Sequence, residues 1–223
     1  MELITVARLR SGYTTKFGTP RQSGLIDATQ EVVFEPDFKD ENMLRGIMEY
    51  SHLWLIWGFD RTEGWTPTVR PPRLGGNKRV GVFSTRSPRR PNPIGLTLVR
   101  LDGVRKGKDG TLILDVRGAD IVDGTPIYDI KPYLPYVESI SYASGGFSES
   151  VKDYRLTVRI PENLRAKVDV DAISTISDII SSDPRPGYHE DEDRVYAFEY
   201  GGYRIRFTVS NGVAEVKEIE IDG

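Results

Sequence analysis

Along most of this chain apolar and polar positions alternate in short stretches, and a helical period holds over only one long segment. Residues 2–9, 29–35, 79–84, 93–104 and 111–117 have the length and patterning of strands. Leu53-Trp54-Leu55-Ile56-Trp57-Gly58-Phe59 is a dense aromatic and aliphatic run, too short for a buried helix, and reads as a central strand. Asp40 is placed to cap a short helix carrying Leu44, Ile47 and Met48 on one face. The breaks are rich in glycine and proline: residues 11–22, residues 64–77, and the turn at 107–110. Many short strands joined in this way predict a mainly β protein, with a barrel or sandwich as its N-terminal domain at 1–145.

After Ser144-Gly145-Gly146 the pattern softens, and residues 146–160 read as a linker or a strand shared with either domain. From Asp171 onward Ile173, Ile176, Ile179 and Ile180 fall on one helix face, and Asp183-Pro184 ends that helix. Residues 196–200, 203–209 and 213–221 alternate as strands and are joined by Gly201-Gly202 and Asn211-Gly212, strong hairpin signals. A small α+β domain at 161–223 is expected.

The 223 residues are enough for two cores. The absence of cysteine excludes disulfides, thiol nucleophiles and thiolate metal sites. No apolar run approaches the roughly 20 residues that span a bilayer, and no basic segment followed by an apolar one opens the chain, so a soluble, cytoplasmic protein with no membrane partner is expected. Net charge is only −3, yet between Gly64 and Leu101 there are eight Lys or Arg residues and no Asp or Glu. That run reads either as a solvated basic face or as a positive field for phosphates. Within it, Pro88, Pro91 and Pro93 stiffen the loop that holds Arg86, Arg89 and Arg90.

No Gly-x-Gly-x-x-Gly or P-loop pattern is present, and His52 and His189 find no nucleophile elbow. His52 reads as a strand-end histidine. His189 and the following acidic residues read as a solvated loop rather than a metal site. Site material remains in residues 20–22, in the arginine-proline loop, in residues 123–133, and in Asp183-Pro184-Arg185-Pro186-Gly187-Tyr188. This last stretch reads equally as a helix stop or as an acid, a base and a phenol on a rigid turn.

These motifs carry a resemblance. Pro20-Arg21-Gln22-x-Gly24-Leu25, Ser51-His52-Leu53-Trp54, residues 69–77, Gly81-Val82-Phe83-Ser84-Thr85-Arg86-Ser87-Pro88-x-Arg90-Pro91-Asn92-Pro93-Ile94-Gly95-Leu96 and Asp123-Gly124-Thr125-Pro126-x-x-Asp129-Ile130-Lys131-Pro132-Tyr133 resemble the TsaA/TrmO family. Asp183-Pro184-Arg185-x-x-Tyr188 resembles its bacterial form, which has a C-terminal domain. The resemblance implies a β-barrel methyltransferase that uses S-adenosylmethionine and acts on N6 of threonylcarbamoyl-adenosine, next to the tRNA anticodon. Members dimerise and hold the cofactor near the subunit interface, so a homodimer is expected.

On that basis Pro20, Arg21, Gln22, Asp60, Arg61, Arg86, Leu96, Asp123, Gly124, Thr125 and Pro126 are expected at the cofactor. Asp60-Arg61 departs from the histidine and polar residue usual there. Asp183, Arg185 and Tyr188 are expected to be catalytic, with Asp183 or Tyr188 handling the N6 proton and Arg185 an anionic substrate group. Arg70, Arg73, Arg89, Arg90 and Lys131 are expected to meet the anticodon stem-loop. No metal is expected. The competing readings are a non-catalytic RNA- or nucleotide-binding barrel and methyl transfer to another substrate.

Overall fold

In a computed structural model, residues 2–71, 78–185 and 191–221 are described. The alternating stretches become β1 (Ala7–Arg10), β2 (Thr29–Phe34) and β3 (His52–Gly58), a short ribbon of β4 (Thr68–Val69) with β5 (Val80–Gly81), then β6 (Ile94–Lys106), β7 (Leu112–Arg117) and β8 (Pro126–Pro132). All but the ribbon close into an antiparallel barrel in the order β1-β2-β7-β6-β3-β8. Closure leaves no open edge, and the period of two sends alternate side chains inward. Leu53, Leu55 and Trp57 of β3 meet Val99 and Leu101 of β6 and Val32 and Phe34 of β2 in one core. Trp57 lies opposite Gly95, where any β-carbon would overlap the indole.

Three local expectations change. The first strand begins only at Ala7. The helix after Asp40 is two 3-10 turns, Glu41–Leu44 and Ile47–Glu49, because Gly46 between them is left-handed at φ 83°. Asp40 does cap, accepting from the Asn42 backbone N–H at 2.9 Å. The strand expected at 79–84 stops at Gly81 and turns into a 3-10 segment, Val82–Ser84. The Val82 N–H still reaches the Pro67 carbonyl at 3.0 Å, but Pro67 has no N–H to return and the ladder ends.

The C-terminal domain is a four-stranded sheet, β9 (Thr157–Arg159), β10 (Tyr196–Tyr200), β11 (Tyr203–Ser210) and β12 (Val213–Ile221), in the order β10-β11-β12-β9. The strand within the expected linker is β9, and it runs parallel to β12. Asn211 and Gly212 (φ 49° and 74°), like Gly201 and Gly202 (57° and 82°), are left-handed, as two-residue hairpin turns require. Two short helices, α1 (Pro135–Glu138) and α2 (Glu162–Arg165), precede α3 (Val170–Ser181). Helix α3 starts ahead of Asp171 because Asp169 is its cap, accepting from the Ala172 N–H at 2.8 Å. Its Ile173, Ile176, Ile179 and Ile180 fill the core of this domain. No helix among the described residues is long and apolar enough to cross a membrane.

Residues 11–28, between β1 and β2, form a strap that joins the two units. Tyr13, Ile26 and Ala28 belong to the core of the C-terminal domain. Gly12 accepts from the Gly201 N–H at 3.1 Å, and a β-carbon at Gly12 would stand 2.7 Å from the Tyr200 ring. Tyr13 is fully buried against Tyr200, with ring centroids 5.3 Å apart. Its hydroxyl meets no hydrogen-bond partner among the described residues. A buried orphan hydroxyl is destabilising. Tyr13→Phe is therefore expected to stabilise the fold by about 1 kcal/mol, read as a higher urea midpoint with an unchanged slope; a lower midpoint would contradict the orphan assignment.

Candidate active site

The antiparallel register brings the ends of β1, β3 and β7 and the starts of β6 and β8 to one mouth of the barrel, and the strap crosses it. The 123–125 turn is nailed to this rim. Asp123 and Gly124 donate their backbone N–H groups to Tyr13 and Leu9, each at 2.8 Å. The Asp123 carboxylate accepts from the Ser11 N–H at 2.8 Å, so it is engaged in anchoring the strap. Arg61 donates to the Asp123 carbonyl at 2.8 Å and Arg8 to the Gly124 carbonyl at 3.1 Å. Thr125 is buried and donates to the Val122 carbonyl at 2.7 Å. Pro126, also buried, opens β8 opposite Arg8. Gly124, at φ 75°, has open space where a side chain would be.

The 20–22 segment of the strap makes the second part. Pro20 is buried, and Gln22 accepts from Arg86 through Oε1 at 2.6 Å. Beneath them, Trp57 Nε1 donates to Thr97 Oγ1 at 2.9 Å and the Thr97 hydroxyl donates to Asp120 Oδ1 at 2.6 Å. Burial pushes the Asp120 carboxyl above its usual range, against the opposing pull of Thr97, two backbone N–H groups and the Arg86 field. Asp120, Thr97 and Trp57 carry no motif signal, but a polar residue at an inward position of β6 is the sign that could have found Thr97. Leu96, its neighbour, points the other way, onto the exposed outer face of the barrel beside Ile56.

The third part comes from the C-terminal domain. Arg21 donates through one nitrogen to the carbonyls of Asp183 and Arg185, at 2.9 and 2.5 Å. Its guanidinium thus ties the strap to the turn that follows α3. Asp183 is a buried non-glycine residue at φ 52°, a conformation that stores strain and is concentrated at functional sites. Arg185 grips its carboxylate at 2.7 and 3.0 Å, and the Tyr154 hydroxyl donates to it at 3.2 Å. The Arg185 guanidinium also lies over the Tyr196 ring, 5.7 Å from the centroid. The Asp183 hydrogen bond pushes the Arg185 pKa further up, and burial does the same for the Tyr154 phenol. Both groups therefore stay protonated as donors. Tyr154 is a member of this cluster that the motifs did not reveal.

The basic loop divides. Arg90 is turned inward, donating to the Ser87 carbonyl at 2.8 Å and the Thr85 carbonyl at 2.5 Å, so it clamps the loop instead of facing outward as expected. Five fixed donors suit a guanidinium to that task. Lys131 lies on the outer face of β8 and pairs with Asp129 at 2.9 Å. Arg70 and Arg89 are exposed. Asp60 is exposed beside Arg61. Arg73, Tyr188 and His189 lie outside the described residues.

The donor set at the mouth suits S-adenosylmethionine: a guanidinium and an amide for a carboxylate, a carbonyl-rich turn for an amine or hydroxyls, and open space at Gly124. Residues 8–139 match the tRNA-methyltransferase O N-terminal domain and residues 153–222 the TrmO C-terminal domain. The chain is 39% identical over 227 residues to the tRNA (adenine(37)-N6)-methyltransferase of Escherichia coli K12, covering 95% of this chain and 94% of that protein. It is 35% identical to a Pseudomonas aeruginosa protein named as a putative S-adenosylmethionine-dependent methyltransferase, over 84% of this chain and 83% of that one. A crystal structure of TrmO from P. aeruginosa superposes with a TM-score of 0.80 at 27% identity, covering 99% of this chain and 97% of that one. With both domains matched in order and nearly the whole length shared, the chain belongs to the tRNA-methyltransferase O (TrmO) family.

Proposed function

We propose that this chain is a cytoplasmic, S-adenosylmethionine-dependent tRNA methyltransferase that acts on N6 of the adenosine 3′ to the anticodon, in its threonylcarbamoyl form. The observation that carries this reading is the Arg21 tie, which holds the Asp183–Arg185 pair beside the strap residues of the cofactor pocket. A relative matching over nearly its whole length is named for this reaction.

S-adenosylmethionine, when bound, supplies a methyl group on a sulfonium. The chain must hold that group and the acceptor nitrogen in line, and take the proton that leaves. Gln22 and Arg86 would bind the polar end of the cofactor, and the 123–126 turn, braced by Arg61 beside Asp60, would offer its carbonyl edge. Pro20 and Arg21 keep the strap in place. The acceptor N6 is a weak nucleophile because its lone pair is shared with the ring and the carbamoyl group. Asp183 is the base, yet both its oxygens are engaged. A substrate carboxylate that draws Arg185 away frees an oxygen of Asp183 for the N6 proton, so the base is released only when the correct substrate is seated. Tyr188 remains a candidate to relay that proton. In this scheme the N6–carbon bond forms as the sulfur–carbon bond breaks, and the N6 proton ends on Asp183.

Two further features fit a tRNA enzyme that works as a pair. Arg70 and Arg89 are free of side-chain partners among the described residues and face solvent, as phosphate contacts should, with Arg73 between them in sequence. Residues 135–149 form an arm with nearly every side chain exposed, including Tyr136 at 82% and Tyr142 at 90%. Together with exposed Ile94 and Leu96 on the barrel it supports a homodimer.

Labelled methyl should pass from S-adenosylmethionine to tRNA from a strain lacking the enzyme, and Asp183→Asn should slow this by about 10²- to 10⁴-fold. Full turnover of that variant would remove Asp183 from the role, and tRNA binding without transfer by the unaltered chain would favour a non-catalytic module. Arg89→Ala is expected to reduce the salt slope of tRNA binding by about one, and an unchanged slope would exclude a phosphate contact there. Light scattering should give twice the chain mass, and Tyr136→Ser with Tyr142→Ser should halve it; a wild-type monomer at micromolar concentration would contradict the dimer.

A further inference from the structure

We propose that Tyr154 is a positioning residue for the methyl transfer: its hydroxyl holds Oδ2 of Asp183, so that the oxygen released when Arg185 turns to the substrate is Oδ1. This deepens the reading of Asp183 as the base and rests on it. The donors around that carboxylate are unevenly shared. Oδ1 accepts from Arg185 Nε at 2.7 Å and from the Arg185 backbone N–H at 3.4 Å. Oδ2 accepts from Arg185 Nη2 at 3.0 Å and from the Tyr154 hydroxyl at 3.2 Å. An ionised carboxylate only accepts, so the phenol is the donor. With the guanidinium drawn away, Oδ1 keeps only the long backbone contact, whereas Oδ2 keeps a side-chain donor. The proton then goes to the less engaged oxygen, and the carboxylate is held from behind while it takes it.

Tyr154 is built into this place. Leu156, two residues on, donates its N–H to the Ser181 carbonyl at 2.9 Å and accepts from the Ser181 hydroxyl at 3.2 Å, so the chain ahead of β9 is fastened to the last turn of α3. The Leu156 side chain is buried in the C-terminal core. Arg155 donates through one nitrogen to the carbonyls of Lys152 and Tyr154, at 3.1 and 2.9 Å, which ties the backbone on the other side of the ring. Across the contact, the Ser182 hydroxyl donates to the Ile179 carbonyl at 2.8 Å and the Asp183 N–H to the Ile180 carbonyl at 3.0 Å. Two residues 29 positions apart thus meet from braced backbones.

Stability alone does not account for this contact. Arg185 by itself reaches both oxygens of Asp183 and is the stronger, charged donor. The tyrosine is 49% exposed, so it adds little to the core. A neutral donor on one oxygen of a carboxylate that is already paired is explained by what remains once the charged partner leaves. The phenol suits that task, because burial and the Asp183 charge push its pKa up against the pull of Arg185, and it stays a donor through the neutral range.

The test is single-turnover methylation of tRNA from a strain lacking the enzyme, by the full chain at saturating S-adenosylmethionine, followed against pH. Tyr154→Phe is expected to slow the step about tenfold, the scale of one lost hydrogen bond. The half-saturating tRNA concentration and the S-adenosylmethionine affinity should stay within about twofold of wild type. A hydrogen bond to the charged form lowers the pKa of a carboxyl group, so its loss should move the acidic limb of the profile up by about half to one pH unit. Among the described residues the charged and titratable groups around Asp183 are Arg185, Arg21 and Tyr154, with Tyr196 behind Arg185, and only the Tyr154 donor is removed. A ring-fluorinated tyrosine at position 154, a stronger donor of nearly the same shape, should move the limb the other way; it decides the matter if Tyr154→Phe fails to fold. A folded Tyr154→Phe with the wild-type rate overturns the inference, and so does a slower rate with the limb unmoved, the mark of a structural role. If Asp183→Asn is inactive in the same assay, those results strike only the role of Tyr154. Full turnover by Asp183→Asn overturns the reading of the base and this inference with it.

Discussion

The strap between β1 and β2 is the constraint on which the rest of the molecule depends. Its residues serve both domains at once: Ser11 and Tyr13 fasten the 123–125 turn, Tyr13, Ile26 and Ala28 complete the C-terminal core, and Arg21 holds the turn after α3. Loops carry function when a rigid scaffold fixes them, and here the loop also fixes the scaffold. A barrel with a freely hinged second domain would leave Asp183 and Arg185 without a defined place relative to the mouth.

Charge plays two different parts around that mouth. Arg90 turns inward and Arg79 lies exposed, yet both donate to backbone carbonyls, so their basicity is consumed by the shape of the loop. Arg86 stands between the two kinds, bonded to Gln22 yet exposed. Asp120 is of the opposite sign, a half-buried carboxylate that accepts from the Thr97 hydroxyl at 2.6 Å. Preorganised polar groups of this kind cost folding free energy and return it as binding geometry. The polar surface of the barrel is different again. Arg10, Glu31, Arg105 and Asp115 form a chain of exposed ion pairs, worth little individually to stability.

At the C-terminal turn, strain and pairing coincide. Helix α3 ends, Asp183 enters the left-handed region, and its carboxylate meets Arg185, which also rests on Tyr196. An ion pair this enclosed is sensitive to a competing anion, because any group that takes Arg185 leaves Asp183 uncompensated. In the mechanism proposed above, substrate recognition and proton acceptance are two faces of one event.

Periodicity and turn chemistry determined the number and type of most elements. The inward face of β3, the isoleucine face of α3 and both left-handed hairpin turns follow from local stereochemistry that needs no distant partner. Motif order determined the family, and with it the residues to examine. What the sequence left open depends on contacts between residues far apart in the chain. Pro67 stopping a ladder that begins at residue 80, Arg90 turning inward beside Arg89, and Tyr154 joining Asp183 are all decided by neighbours in space. Asp120 is a further case. As one aspartate among 33 acidic residues it is unremarked, and only closure of the barrel brings its carboxylate to the Thr97 hydroxyl on β6, because that contact joins residues 23 positions apart.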